Sequence, residues 1–119
     1  MRKKLIGQSG EDLAKIFLQE RGYKIFGRNL NTRLGEIDVV AVKGDRLHFV
    51  EVRVRQTSSF GTALDSISQE KLNRIRKALT ILINKNKSWQ KYIPCISLIT
   101  IDGMGVNKKI EFFDDIWLD

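Results

Sequence analysis

The sequence predicts an α/β domain with a mixed central β-sheet flanked by helices. Two segments carry apolar residues at helical spacing, and five segments are rich in β-branched and aromatic residues. They follow one another in the order α-β-β-β-α-β-β, and the three strands between the helices include a hairpin. Such an order favours a mixed sheet with helices packed on it. Because 119 residues are enough for one self-sufficient core, we expect a single domain over residues 1–119.

The first half of the chain is expected to contain one helix followed by a strand. Ser9 can cap a helix whose first turn is acidic and which ends near Gly22. Its apolar face consists of Leu13, Ala14, Phe17 and Leu18. We expect a short strand over 23–29 and a loop over 30–34.

A hairpin is predicted around Gly44 and Asp45. Ile37, Val39 and Ala41 alternate with other residues before this dipeptide, and residues 49–54 are again rich in β-branched and aromatic side chains. Glycine suits the first central position of a type II′ turn. The polar residues 56–66 are expected to form a loop that leads into the second helix.

The second half of the chain predicts a helix over 68–86 and two strands. The apolar stripe of the helix consists of Leu72, Ile75, Leu79, Leu82 and Ile83. The basic residues Lys71, Arg74 and Lys77 lie away from this stripe. Strands over 92–102 and 108–113 are expected to complete the sheet.

The composition favours a basic protein of the cytoplasm. Lys and Arg number 21 against 14 Asp and Glu, a net charge of +7, so a polyanion is the leading partner class. Cys95 is the only cysteine, which excludes an internal disulfide and makes a cysteine-ligated zinc site implausible. No apolar run approaches the ~20 residues of a membrane span, and the N-terminus lacks the apolar core of a signal peptide. No phosphate-binding glycine loop of the Walker or GxGxxG type supports a nucleotide-cofactor enzyme.

The register of the hairpin brings acidic residues together. With the turn centred between Gly44 and Asp45, opposing residue numbers sum to 89, so Asp38 is expected opposite Glu51 and Glu36 opposite Arg53. The other face of the hairpin is apolar and is expected to pack on a helix; it consists of Ile37, Val39 and Ala41 against Val52, Val50 and His48. His48 is therefore interpreted as a core residue. Cys95 is interpreted in the same way because it lies in an apolar strand.

Two explanations account for the facing carboxylates. Asp38 and Glu51 repel each other at a Cβ separation of ~5 Å unless something neutralises them. A divalent cation such as Mg²⁺ does so, because hard cations are commonly held by one or two carboxylates together with water and substrate phosphate. The alternative is a surface ionic network in which Arg53 and Arg55 balance the acids. Spacing alone leaves both explanations open.

The same residues resemble a known motif. Asp38, followed after the hairpin by Glu51-Val52-Arg53, resembles the PD-(D/E)xK motif of restriction-endonuclease-like nucleases. A wider set, covering the chain from Gly7 to about Ile101, resembles the YraN-type family of small bacterial proteins, which is similar in fold to Holliday-junction resolvases. This set comprises Gly7, Gly10, Glu11, Ala14, Gly22, Tyr23, Arg28, Asn29, the GEID block at 35–38, the FVEVR block at 49–53, Arg55, Phe60, Gly61 and Lys71.

The resemblance implies a restriction-endonuclease-like domain that binds DNA and uses Mg²⁺ or Mn²⁺. Asp38 and Glu51 would be metal ligands and catalytic residues, with Glu11 as an auxiliary acid. Arg55, Lys71 and Arg74 would contact the phosphate backbone. The alternative for Glu11 is a favourable charge in a helix first turn, and the alternative for the basic residues is a solvated helix face. A homodimer is expected, because cutting two symmetric strands generally needs two active sites.

The chain departs from the motif at two places. Arg53 occupies the position of the motif lysine and is the remaining catalytic candidate: an arginine cannot act as a general base, but a bidentate contact with the scissile phosphate can stabilise the charge of the transition state. The second departure is Cys95-Ile96-Ser97, where the family usually has an Arg-Phe-Asp-like segment. Two hypotheses follow: a magnesium-dependent endodeoxyribonuclease resembling Holliday-junction resolvases, or a non-catalytic nucleic-acid-binding module. A third hypothesis makes the acidic cluster a protein-docking surface.

Overall fold

The elements of the chain follow the predicted order. A computed structural model describes residues 10–55, 67–103 and 105–116. The helices are α1 (Gly10–Glu20) and α2 (Gln69–Lys85), with short 3-10 helices at Lys87–Trp89 and Gly105–Asn107. The strands are β1 (Lys24–Thr32), β2 (Gly35–Lys43), β3 (Arg46–Arg55), β4 (Ile93–Asp102) and β5 (Lys109–Phe113). The order α-β-β-β-α-β-β is therefore confirmed.

The five strands form one mixed sheet in the order β1-β2-β3-β4-β5. Neighbouring strands are antiparallel except for β3 and β4, which run parallel from Arg46 beside Ile93 to Arg55 beside Asp102. A parallel pair needs a crossover connection, and α2 lies in that connection. The mixed sheet flanked by helices is confirmed.

Each face of the sheet is covered by one helix. Buried residues of α2 pack on one face with Val40, Val42, Leu47, Phe49, Ile96 and Leu98. Ala14 and Leu18 of α1 pack on the other face with Val39, Ala41, Val50, Ile99 and Ile101. Because strand side chains alternate between faces, the two helices divide the strands' residues between them. Among the described residues, neither helix is long and apolar enough to cross a membrane.

The predicted hairpin register is confirmed near the turn. Lys43 pairs with Arg46, and the ladder continues in this register to Val39 opposite Val50. Gly44 has a φ of +62°, the left-handed backbone that glycine adopts without steric cost. The sequence pattern was sufficient here because both the turn residues and the alternation of apolar residues favour one register.

Two expectations about the first strands are wrong. The loop predicted over 30–34 is instead mostly strand, because β1 continues to Thr32 and only Arg33 and Leu34 connect it to β2. The Thr32 hydroxyl stabilises this connection by accepting hydrogen bonds from the backbone N–H groups of Leu34 and Gly35. Ile37, expected on the same face as Val39 and Ala41, packs in the cluster beneath α2, whereas those two residues pack beneath α1.

The second helix begins and ends where the sequence predicts. Ser68 is its N-cap and accepts a hydrogen bond of 3.0 Å from the backbone N–H of Lys71, and Asn86 is its C-cap. The cap therefore fixes the first turn, in which Lys71 lies. Two other predictions, the Ser9 cap and the loop over 56–66, lie outside the described residues.

Ser68→Ala is expected to lower the free energy of unfolding by about 1 kcal/mol, because it removes this capping hydrogen bond. Urea denaturation followed by circular dichroism measures the change. Ser88→Ala, at an exposed serine of the first 3-10 helix, is the matched control and should change stability by less than about 0.5 kcal/mol. Equal effects of the two substitutions would contradict the capping role.

Candidate active site

Asp38 lies where β2 and β3 separate. The β2–β3 ladder ends at Val39 opposite Val50, one pair before Asp38 and Glu51 would meet. The Asp38 carboxylate accepts a hydrogen bond of 2.9 Å from the backbone N–H of Val52. The Asp38 side chain thus accepts the hydrogen bond that the backbone of β2 would accept if the ladder continued. This bond holds the Asp38 carboxylate beside β3.

The Glu51 carboxylate is buried between two basic side chains. Its side chain is only 5% exposed, and its Oε2 lies 3.1 Å from the Nε of Arg53. Its Oε1 lies 3.9 Å from the Nζ of Lys71, which comes from the first turn of α2. The site is therefore built from two strands and one helix, on the sheet face that α2 covers.

Burial and Asp38 together change the acidity of Glu51. Desolvation, the negative charge of the neighbouring Asp38 and a hydrogen bond between the two carboxyl groups together raise the pKa of Glu51 to about 7. The cations Lys71 and Arg53 act in the opposite direction but do not cancel these effects. Two carboxyl groups that share a hydrogen bond are unfavourable when both are ionised. The pair therefore favours binding of a proton or a cation.

The donor set fits a hard divalent cation. No group of three or more His, Cys, Asp and Glu side chains suited to a metal occurs within residues 10–55, 67–103 and 105–116. A site that binds metal through protein ligands alone, such as structural zinc, is therefore not formed by these residues. Mg²⁺ is commonly held by one or two carboxylates, with water and substrate phosphate as further ligands, and the oxygens of Asp38 and Glu51 fit that pattern.

Arg53 does not pair with Glu36 as the register predicted. The ladder has already ended at this position, and Arg53 lies against Glu51 on its own strand instead. Its side chain is 37% exposed, and its buried Nε forms no hydrogen bond despite its short distance from Glu51. Glu36 is exposed. The residue at the motif-lysine position thus lies at the carboxylate pair.

Arg55 lies two residues after Arg53 on β3 and pairs with a carboxylate outside the cluster. It forms a bidentate pair with Asp102 on β4, with distances of 2.6 Å from Nε to Oδ1 and 2.8 Å from Nη2 to Oδ2. This hydrogen bonding holds the pKa of Asp102 below its usual range. A bidentate arginine–carboxylate pair is specific in geometry, so here it joins the ends of two parallel strands.

The remaining predicted residues lie around the cluster or away from it. Arg74 is exposed on α2 and pairs with Glu70 at 3.4 Å. Glu11 lies in the first turn of α1, the helix that packs on the opposite face of the sheet from Asp38 and Glu51. The structure therefore brings together Asp38, Glu51, Arg53 and Lys71, and it does not bring Glu11 into this group.

Two features of the site were missed from the sequence. One is the contact between Lys71 and Glu51, since Lys71 was assigned only to a phosphate-facing helix surface. The other is Thr100, which lies beside Arg53 in the β3–β4 register and has a buried hydroxyl without a hydrogen-bond partner. Its signal in the sequence was a polar residue between the apolar residues Ile99 and Ile101 of β4. Both features depend on how segments distant in the sequence come together, α2 over β3 for Lys71 and β4 beside β3 for Thr100.

His48 and Cys95 are core residues, as predicted. The Nδ1 of His48 lies 3.0 Å from the hydroxyl of Ser97, which donates to the backbone carbonyl of Asp114. The Sγ of Cys95 lies 3.1 Å from the same nitrogen of His48. Burial lowers the pKa of His48 and raises that of Cys95, so each favours its neutral form. This polar group belongs to the core rather than to the carboxylate site.

The fold and the site together define a class of protein. A mixed five-stranded sheet with one helix on each face is consistent with the restriction-endonuclease-like fold that the sequence predicts. The model of the Uncharacterised protein family UPF0102 matches residues 10–104, and the chain belongs to this family.

Relatives from several bacteria support this assignment. The chain is 42% identical over 86 residues to a UPF0102 protein of Carboxydothermus hydrogenoformans, covering 72% of this chain and 73% of the relative. It is 47% identical over 87 residues to one of Dictyoglomus turgidum, covering 73% of each. A UPF0102 protein of Syntrophomonas wolfei is 38% identical over 114 residues, covering 91% of this chain and 96% of the relative.

The raised pKa of Glu51 predicts that the protein loses stability as pH rises towards and through 7. The folded state holds a proton with a pKa of about 7, against 4.5 for an ordinary glutamate. Between these values the folded state binds more protons than the unfolded chain, so the free energy of unfolding falls with rising pH. Above the folded pKa the loss is complete, and it amounts to about 3 kcal/mol.

Glu51→Gln removes the titrating group and should flatten this part of the stability curve. Urea denaturation of both proteins between pH 5 and 8 compares the slopes. Glu20→Gln, at an exposed glutamate near the end of α1, is the matched control and should keep the wild-type slope. The same slope in Glu51→Gln as in wild type would show that another group titrates.

Proposed function

We propose that this protein is a metal-dependent endonuclease-like protein that binds branched or structured DNA and hydrolyses its phosphodiester bonds. The observation that carries the proposal is the buried carboxyl pair of Asp38 and Glu51, with the cations Arg53 and Lys71 beside it. Such a pair costs stability in the folded protein, which favours a role in binding a cation. The net charge of +7 supports a polyanionic partner.

Each residue of the cluster has a proposed role. Asp38 and Glu51 would hold Mg²⁺ or Mn²⁺, which when bound polarises a phosphate oxygen and acidifies a bound water. Arg53 would bind the non-bridging oxygens of the scissile phosphate, because its guanidinium is planar and always charged. Lys71 would contribute a second positive charge next to the phosphate.

The outer residues would contact the rest of the nucleic acid. Arg74 is exposed one turn of α2 beyond Lys71, so it would meet the adjoining backbone phosphates. Arg55, already paired with Asp102, would contact the substrate only at the edge of this pair, and Glu11 receives no role because α1 packs on the other face of the sheet. DNA as the substrate and a preference for branched forms come from the resemblance to Holliday-junction resolvases.

A second candidate function is a nucleic-acid-binding module without hydrolysis. The observation that favours it is Arg53 itself, since an arginine at the motif-lysine position cannot accept a proton from an attacking water. The protein-docking hypothesis is less compatible with the geometry, because the Glu51 side chain is 5% exposed and offers little surface to a partner.

We also propose that the protein acts in the cytoplasm as a homodimer. Two active sites are needed to cut two symmetric strands of a branched substrate. Sedimentation equilibrium of the protein with and without a four-way junction tests the dimer, and a monomer under both conditions would contradict it.

Metal binding is the first step to test. Isothermal titration with Mn²⁺ should give a saturable heat in the wild type, and this heat should be lost in an Asp38→Ala/Glu51→Ala double variant, which lacks both carboxylates. An Asp12→Ala/Glu20→Ala variant, with two acids of α1 removed, is the charge-matched control. Heat that persists unchanged in the Asp38/Glu51 variant would remove the proposed metal site.

Cleavage is tested with a labelled four-way junction and a linear duplex of the same strands. In Mg²⁺ or Mn²⁺ the wild type should cut the junction, with no cutting in EDTA or in Asp38→Ala, which excludes a contaminating nuclease. Salt-dependent binding without cutting under any metal would instead support the binding module.

Arg53→Lys separates the two candidate functions. If arginine blocks hydrolysis, the lysine variant should cut where the wild type only binds, because lysine can take part in proton transfer. If the wild type already cuts, the variant should retain comparable activity, and Arg53→Met should lose at least about tenfold through the missing phosphate contact.

A further inference from the structure

A cavity lies at the far end of α2 from the carboxylate pair. It has a volume of about 460 Å³ and lies between the start of β1 and the segment that follows α2. Its lining includes the side chains of Lys24, Phe26, Ser88, Trp89, Lys91 and Tyr92. Three aromatic rings and two lysines therefore surround one open space, and none of these residues has a role in the proposed chemistry.

The aromatic rings are held in fixed positions by the core. Phe26 stacks with Trp89 at 5.9 Å between ring centroids and 28° between planes, and it meets Tyr92 edge-on at 5.9 Å. Trp89 also contacts the buried Phe49 at 6.3 Å. Partly buried rings anchored in this way form a rigid surface, which loses little conformational entropy when a flat ligand stacks on it.

Both lysines of the cavity are exposed. Lys24 opens β1, and Lys91 lies between Trp89 and Tyr92 with its Nζ 5.3 Å from the Tyr92 ring centroid. An aromatic surface with cations at its edge is complementary to a nucleotide, whose base stacks while its phosphate meets the lysines. A base within a duplex is already stacked on its neighbours, so the matching ligand is an unpaired nucleotide.

The position of the cavity connects it to the carboxylate site. Phe26, Trp89 and Tyr92 pack on the cluster beneath α2, the same face of the sheet on which Lys71 meets Glu51. The 17 residues of α2 span about 25 Å between the two places. Exposed basic residues, among them Arg74, Lys77 and Lys85, lie along this helix. A nucleic-acid strand could therefore follow α2 from one end to the other.

We propose that this cavity binds an unpaired nucleotide of the nucleic-acid strand whose phosphate lies at Asp38 and Glu51. The inference rests on the proposed function, because it takes nucleic acid as the ligand. It adds a specific requirement, namely that the substrate contains a single-stranded segment about one helix length from the carboxylates.

Trp89 itself reports on the cavity. The chain has two tryptophans, so Trp117→Phe leaves Trp89 as the sole indole emission. Titration of this variant with oligo(dT) in EDTA should quench its fluorescence saturably through stacking, whereas a blunt duplex of equal length should not. Anisotropy of a labelled oligo(dT) with the unmodified protein gives a second measurement that is independent of the tryptophan substitution.

Charge-reversal variants locate the binding site. Lys24→Glu/Lys91→Glu should weaken oligo(dT) binding at least about tenfold, because two phosphate contacts are replaced by repulsion. Lys15→Glu/Lys109→Glu, with the same change in net charge on α1 and β5, is the matched control and should weaken it far less. Equal losses in the two variants, or no quenching by oligo(dT), would overturn the inference.

The outcomes also separate this inference from the proposed function. Asp38→Ala should leave quenching by oligo(dT) unchanged, since the carboxylates are at the other end of α2. Quenching without metal-dependent cleavage would mean that the proposed hydrolysis fails while the nucleotide site holds. Cleavage without quenching would mean that the nucleotide site fails while the proposed function holds.

Discussion

The buried carboxylate of Glu51 beside Asp38 is the constraint on which the arrangement of the site depends. Two like charges in a partly desolvated place are unfavourable, so the surrounding elements must supply compensating groups. Arg53 does so from the same strand and Lys71 from α2, while the backbone of Val52 donates to Asp38. The first turn of α2, fixed by its Ser68 cap, is therefore part of the electrostatics of the site as well as of the fold.

Local patterns predicted much of the fold because they agreed with one another. Gly44 and the alternation of apolar residues in β2 and β3 favoured the same register, and the apolar stripe of α2 predicted the extent of that helix. The predicted loop over 30–34 was wrong because the local composition of this segment and its packing in the fold favour different structures. The polar segment around Asn31 and Thr32 has turn-like composition, yet Leu30 packs on the core and pairing with β2 continues to Gly35.

Asp38, Glu51 and Arg53 were predictable as neighbours from the sequence, whereas the contact of Lys71 was not. The hairpin register was enough to bring Asp38 and Glu51 together, because both lie within a few residues of one turn. The contact of Lys71 with Glu51 depends on how the crossover from β3 to β4 returns α2 to the sheet, and no local pattern encodes that distance. The sequence also did not predict that β2 and β3 separate at Asp38, where the Asp38 carboxylate accepts a hydrogen bond from the backbone N–H of Val52.

Arg53 and Arg55 show how two identical residues on one strand face differ in what they can do. Arg55 is 16% exposed and joined by two short hydrogen bonds to Asp102, so moving it towards a phosphate would leave a carboxylate without its partner. Arg53 is 37% exposed and its Nε forms no hydrogen bond. A phosphate can therefore attract Arg53 at smaller cost. Arg53 and Lys71 offset part of the repulsion between the two carboxyl groups but do not cancel it, so the site keeps an affinity for a proton or a cation.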